Sequence, residues 1–297
     1  MTGSRAAPQT LREWLRYTEQ HLRQAHLWYG HGAHSARDEA AWLLTHVLRA
    51  PHAQLAQLLE RELSPSERRT VLKLVARRVR THRPLAYLLH EAWLGEHRFY
   101  VDERAIVPRT FIAELLRDGL TPWVIDPARV RNALDMCTGS GCLAVLLALA
   151  FPRATVVAAD ISRAALEVAR RNVRAYRLGR RIKLVRSDLF AGLPPAQYDL
   201  IVANPPYVDA RAMRALPKEY SFEPKLALAG GADGLHFVRR ILRSAAQFLG
   251  PKGILVVEIG HNRRALERAF PRTPFTWLET SAGDRLVLLL PREDLPR

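Results

Sequence analysis

Two turns and one acid in this chain of 297 residues carry side chains able to do chemistry. The first turn, Asp135-Met136-Cys137-Thr138-Gly139-Ser140-Gly141-Cys142, closes one apolar run and precedes another that starts at Leu143. Its glycines let the backbone turn sharply and let a ligand approach with no Cβ in the way. Asp160 ends the next apolar run, about 20 residues on, where its carboxylate can accept hydrogen bonds from a ribose diol. The pair reads as a nucleoside site, yet Gly139-x-Gly141-x-x-Ala144 with a downstream acid also satisfies the dinucleotide fingerprint of a dehydrogenase. The second turn is Asn204-Pro205-Pro206-Tyr207. Successive prolines remove two N–H donors and leave carbonyl acceptors, which the Asn204 side-chain oxygen joins. Such a turn suits a substrate that presents N–H groups, and Tyr207 adds an aromatic face for a planar amide or base. Hydride transfer has no use for that acceptor cluster.

The elements around these turns must position them. From about Arg109, short apolar runs at 130–136, 155–160, 182–187, 198–203 and 253–259 each lead into a turn and most into a helical pattern. That alternation predicts an α/β, doubly wound parallel sheet, whose strand ends hold both turns and Asp160. Runs at 275–280 and 285–290 are separated only by Ser281-Ala282-Gly283-Asp284, which forces an antiparallel pair. Residues 10–90 read as helices alone. Ser64-Pro65-Ser66-Glu67 is a capping box, and Val71, Val75 and Val79, with Leu72 beside them, predict a helix from 65 to about 80 that buries one stripe. Aromatic and β-branched runs at 99–101 and 105–107 suit a hairpin ending at Pro108. The expected organisation is a helical domain over 1–90, a hairpin linker over 91–108 and a catalytic domain over 109–297.

Composition narrows the classes further. Apolar residues make up 48% of the chain, enough for a sizeable core and too many for a disordered or collagen-like protein. No apolar stretch approaches the roughly 20 residues of a membrane span, and the expected location is the cytoplasm. Cys137 and Cys142 are the only cysteines and lie five apart beside a glycine turn, so neither a disulfide framework nor a four-ligand zinc site is expected. His26, His31 and His34 lack a ligand pair at metal-binding spacing and read as ordinary loop residues. The net charge of +16 favours an anionic partner. Basic residues cluster: 61–83 holds eight against two acids, and 163–186 holds nine against Glu167 alone. Arg69, Lys73, Arg77 and Arg80 fall on the face of the 65–80 helix opposite its valines, a basic stripe suited to an anionic surface. Arg109, after Pro108, is placed either to reach a cofactor carboxylate or to pair with an acid such as Glu114.

Over nearly its whole length the sequence resembles the S-adenosylmethionine-dependent methyltransferases that modify the side-chain amide nitrogen of glutamine in proteins. The Asn204 to Tyr207 turn and the glycine loop carry the likeness, with Glu223-Pro224-x-x-Ala227-Leu228 and Gly231-x-Asp233-Gly234 in support. Leu134 to Cys142, Leu27-Trp28-Tyr29-Gly30-His31-Gly32, Phe99 to Arg104 and Val107-Pro108-Arg109 resemble one branch, the PrmB type, whose target is a glutamine of large-subunit ribosomal protein three. Another branch methylates the Gly-Gly-Gln loop of release factors, and enzymes that methylate the amino group of adenine use a similar turn. The wider family has glycine where this chain has Cys137.

The resemblance implies a seven-stranded Rossmann-like class I methyltransferase fold with a small N-terminal helical domain, and S-adenosylmethionine as cofactor. It implies cofactor binding by Asp135, Thr138, Gly139, Ser140, Gly141, Asp160, Asp188, Leu189 and Asn204. Substrate binding falls to Asn204, Pro205, Pro206 and Tyr207, with Asn204 and Pro205 as the catalytic pair. An amide nitrogen is a poor nucleophile, so two acceptors that orient its hydrogens and stabilise the developing positive charge are the expected machinery, with no metal. The implied partner is ribosomal protein three, met in a ribosome assembly intermediate.

Overall fold

The computed structural model describes residues 7–194 and 196–296. The chain divides into two compact units, one running to Glu91 and taking in Pro217–Phe222, the other holding Ala92–Leu216 and Glu223 onward.

The first unit is helical: α1 (Leu11–Gln24), α2 (Ala36–Leu48), α3 (Pro65–Thr81) and the short α4 (Leu85–Leu89). α3 starts where its capping box predicts. The Ser64 hydroxyl accepts the Glu67 N–H, and the Glu67 carboxylate accepts the Ser64 N–H at 2.8 Å, satisfying two donors that a helix start leaves open. The helix buries Val71 and Val75 and leaves Arg69, Lys73, Arg77 and Arg80 exposed. Two side chains depart from the expected stripe. Leu72 is 42% exposed, whereas Arg78 is 1% exposed. A buried guanidinium must be matched by charge. Arg78 Nε donates to Glu39 at 2.6 Å, Nη2 donates to the Trp28 carbonyl at 3.2 Å, and Nη1 lies 3.6 Å from Glu219. Glu219, from Pro217–Phe222, also accepts the Trp28 N–H at 2.9 Å and lies 3.3 Å from His82 Nδ1.

The second unit opens with a hairpin of β1 (Ala92–Leu94) and β2 (His97–Phe99), turning through Gly95 and Glu96. This corrects the expected arms at 99–101 and 105–107. Asp102 accepts the Arg104 N–H with its side chain and the Ala105 N–H with its carbonyl, so the chain turns locally where a second strand was expected. Then come α5 (Ile112–Arg117), β3 (Asn132–Met136), α6 (Cys142–Ala150), β4 (Thr155–Asp160), α7 (Arg163–Ala175), β5 (Ile182–Arg186) and β6 (Tyr198–Ala203). After α8 (Ala210–Ala215) and α9 (His236–Ser244), β7 (Leu249–Glu258) begins four residues before its expected start; α10 (Arg263–Ala269), β8 (Thr276–Thr280) and β9 (Gly283–Pro291) complete the unit.

The seven-stranded sheet has the order β5-β4-β3-β6-β7-β9-β8. β5 to β7 are parallel, and β9 runs antiparallel to both β7 and β8, as the short Ser281 turn requires. Alternation along β3 sends Ala133 to a core shared with α5, α6 and α7, and Leu134 and Met136 to a core shared with α9 and α10. Strand order reverses between β3 and β6, which opens a crevice at their carboxyl ends where doubly wound sheets bind ligands. Among the described residues no helix is long and apolar enough to cross a membrane.

The Arg78 cluster generates a stability prediction. Arg78→Met leaves Glu39 and Glu219 buried without their cation, and urea unfolding should show the helical unit weakened by roughly 3–5 kcal/mol. A midpoint within experimental error of wild type would show that the cluster contributes nothing.

Candidate active site

The acceptor turn sits at the end of β6, beside β3. Pro205 and Pro206 are buried, and Asn204 and Tyr207 are partly exposed. Asn204 donates its side-chain N–H to the Arg109 carbonyl at 3.3 Å, so its oxygen is presented as an acceptor. Tyr207 is held from three sides. Its hydroxyl donates to Glu258 Oε1 at 3.3 Å and its carbonyl accepts from Asn262 Nδ2 at 2.8 Å. A Cβ on Gly260 would lie 2.6 Å from the Tyr207 ring, and one on Gly230 would lie 2.7 Å from the Tyr207 backbone. Glycine is needed at both positions because the turn lies against them.

Glu258, at the end of β7, was not singled out by the sequence. Its buried carboxylate accepts the Thr110 hydroxyl at 2.6 Å and the Phe111 N–H at 2.8 Å, besides the Tyr207 hydroxyl. Burial raises its pKa, opposed by those same donors. One signal was available: an acid ending an otherwise apolar strand, in Val256-Val257-Glu258.

On the other flank, Gly139 and Gly141 adopt left-handed φ values of 54° and 78°. Gly141 is also packed so closely that a Cβ would meet that of Ala169 at 2.9 Å, so it serves the α6–α7 contact as much as any ligand. Asp160 accepts the Gly139 N–H and the Ser162 N–H, each at 2.8 Å, which aims a partly exposed carboxylate from the end of β4. Asp135 is fully buried and accepts the Thr138 hydroxyl. Burial pushes its pKa up to about 7, the Thr138 hydrogen bond opposing and the Asp160 charge adding to the rise. Ser140 is buried, and its carbonyl accepts from Asn172 Nδ2 at 2.9 Å. Asp188 follows β5 and pairs with Arg240 of α9 at 3.0 Å, while Leu189 is buried with φ of 50°.

Arg109 does not reach Glu114, one of the two partners expected for it. Its guanidinium makes a two-pronged pair with Glu223, both hydrogen bonds 2.6 Å long, and Glu223 also accepts the Val107 N–H at 3.0 Å. Glu114 instead accepts the Ser281 N–H and hydroxyl. In the helical unit, His31 is buried with its ring 4.6 Å from that of Tyr220, and His26 and His34 are exposed. Among the described residues no three His, Cys, Asp or Glu side chains converge on a point that would hold a metal ion.

Comparison with known proteins places the chain in a family. The methyltransferase small domain model matches residues 120–218, and the PrmC N-terminal domain model matches residues 13–89. The chain is 54% identical over 286 residues to the ribosomal protein uL3 glutamine methyltransferase of Neisseria meningitidis serogroup A, covering 96% of this chain and 94% of that one. This chain belongs to the ribosomal protein uL3 glutamine methyltransferase family. Members from Bordetella pertussis, 54% identical over 99% of this chain and 98% of theirs, and from Burkholderia pseudomallei, 50% identical over 100% and 99%, extend the likeness across both units.

A methyltransferase domain implies S-adenosylmethionine, and the residues that this family member places at the strand ends fit it. Asp160 ends β4 with its carboxylate aimed by two backbone N–H groups, a Cβ on Gly139 would meet nothing closer than 3.7 Å, and Asn204 follows β6, the parallel neighbour of β3.

Burial of Asp135 makes folding stability depend on pH. Because its pKa is raised on folding, the folded state binds the extra proton between the usual carboxylate range and about 7. Its contribution to stability is therefore most favourable at acid pH and falls as pH rises to that value, by on the order of 4 kcal/mol. Replacing Asp135 by Asn should remove that decline. Thermal unfolding of the two proteins from pH 4 to 8, compared as a difference, checks it; parallel curves would refute the shift.

Proposed function

We infer that this chain transfers the methyl group of S-adenosylmethionine to the side-chain amide nitrogen of a glutamine in ribosomal protein uL3, in the cytoplasm. The observation that carries the chemistry is the Asn204 turn, whose side-chain N–H is already used by the Arg109 carbonyl and whose prolines supply no N–H. The relatives' shared name supplies the target.

S-adenosylmethionine, when bound, supplies an electrophilic methyl group on a sulfonium sulfur. Everything else falls to the protein. Asp160 accepts from the ribose hydroxyls, while the Thr138 to Gly141 loop takes the methionine portion with Asp135 fixing Thr138 from beneath. Asp188 and Leu189 flank the adenine. The Asn204 oxygen and the Pro205 carbonyl each accept one hydrogen of the glutamine NH₂, which turns the nitrogen lone pair toward the methyl group. That alignment matters because the lone pair is delocalised into the amide carbonyl. The same two acceptors stabilise the positive charge that develops on nitrogen. Tyr207, locked by Glu258 and Asn262, offers its ring to the amide plane. The surplus proton passes to water, since a methylated amide nitrogen bearing positive charge is strongly acidic.

Two substitutions separate these roles. Asn204→Ala removes one acceptor that acts mainly in the transition state and should lower kcat by about 10²-fold or more with cofactor affinity little changed. Asp160→Ala should instead weaken cofactor binding at least tenfold. Calorimetry with S-adenosylmethionine and methyl transfer to uL3 measure both, and a reversed pattern would overturn the assignment. In cells lacking the enzyme, mass spectrometry should find the uL3 glutamine unmethylated; a change confined to the release-factor Gly-Gly-Gln loop would move the target to that substrate.

The partner reading goes one step further. A ribosomal protein that binds RNA is itself basic, so it repels a chain of net charge +16. The exposed row of Arg69, Lys73, Arg77 and Arg80 on α3 suits ribosomal RNA, and an assembling particle is the better substrate on this reading. Arg77→Glu with Arg80→Glu should lower methylation of the particle, most at low salt, and leave cofactor affinity intact. Equal rates for both proteins on the particle would refute the contact.

A further inference from the structure

The catalytic unit carries a second basic surface. α7 buries Leu166, Val168, Ala169 and Val173 against the sheet. Its exposed side holds Arg163, Arg171 and Arg174, and two more exposed arginines, Arg177 and Arg180, follow within five residues of the helix end. Several arginines of this stretch serve the fold. Arg170 pairs with Glu167 at 2.5 Å, Arg171 lies 3.6 Å above the Tyr100 ring, and Arg181 donates to the Phe151 and Ala154 carbonyls. Arg163, Arg174, Arg177 and Arg180 do not share in this, since among the described residues they make no ion pair and no side-chain hydrogen bond. Arg163 and Arg174 are eleven positions apart, which places them on one helix face at about 16 Å separation. The only acid between 163 and 186, Glu167, is already paired.

A row of like charges held by a rigid helix repels itself unless anions meet it. The arginine fork matches phosphate oxygens in two-pronged fashion. A lipid surface fits poorly, because an interfacial helix also needs large apolar side chains facing outward, and the only apolar residues exposed on α7 are Ala164 and Ala175. We propose that the α7 face, through Arg163, Arg174, Arg177 and Arg180, docks the phosphate backbone of structured RNA. Preferring RNA to DNA rests on the ribosomal-protein reading above; the surface itself does not depend on which protein accepts the methyl group.

The test is RNA binding by the full chain, measured without methylation, so that it fails separately from the substrate assignment. A fluorescent RNA duplex is titrated across a salt series against wild type and a variant with all four arginines changed to Gln. Loss of four phosphate contacts should reduce the slope of log K against log salt by about 3–4 and weaken binding at low salt at least tenfold. A variant with the four changed to Lys should keep the slope. Unchanged S-adenosylmethionine affinity and unfolding temperature confirm that each variant is folded. An RNA slope and affinity the same for the Gln variant as for wild type would overturn the proposal. So would tighter binding of wild type to a DNA duplex of equal length, or to phosphatidylserine vesicles, than to the RNA.

Discussion

A carboxylate cannot be buried without donors, and Glu258 is buried at the place where the acceptor turn needs support. Three groups answer it: the Thr110 hydroxyl, the Phe111 N–H and the Tyr207 hydroxyl. One side chain on β7 therefore ties the segment just before α5 to the turn after β6. The Arg109 carbonyl, one residue before Thr110, receives the Asn204 side chain. The orientation of the Asn204 oxygen thus follows from where Glu258 holds residues 110 and 111. The turn is preorganised by a buried charge rather than by its own prolines alone, which restrict the backbone but do not aim a side chain.

The same device recurs in the segment after the turn. Glu219 and Glu223 are four residues apart, yet Glu219 belongs to the helical unit and Glu223 to the catalytic unit. Glu219 answers Arg78, the Trp28 N–H and His82; Glu223 answers Arg109 and the Val107 N–H. Each acid is buried and each leaves a costly unpaired charge if its partner is lost. Such pairs hold a segment to one set of neighbours more strictly than apolar packing does, because a shifted apolar residue still finds contacts while a shifted carboxylate finds none.

Local chemistry was readable in the sequence wherever it depends on neighbours along the chain. The capping box at Ser64, the strand runs beginning at Thr155 and Tyr198, and the antiparallel ending forced by the Ser281 turn are all decided within a few residues. The acceptor turn belongs here too, since missing N–H groups are a property of proline itself. Pairings across the fold were not readable. Arg109 had several acids to choose from, and Glu223, 114 positions away, won because the turn brings it beside Val107. Arg78 lies in a run of basic residues and differs from Arg77 only by the 100° that separates successive helix positions, enough to turn it from solvent to Glu39. The hairpin was displaced because Asp102 turns the backbone locally, an option that strand propensity ignores.

Cys137 joins these threads. The position stands at φ of 60°, in the left-handed region, which explains why the wider family is expected to carry glycine there. A side chain in that conformation costs roughly 1–2 kcal/mol. Cysteine is small, and its side chain packs on the core cluster that contains Leu134, Met136 and Leu189, so apolar burial worth on the order of 1 kcal/mol offsets much of the strain. The same burial, with the nearby Asp160, Asp135 and Asp188 carboxylates, pushes the thiol well above its ordinary pKa. Gly139 and Gly141 carry the remaining left-handed positions of the loop, and at Gly141 a side chain is excluded outright, since a Cβ there would lie 2.9 Å from that of Ala169.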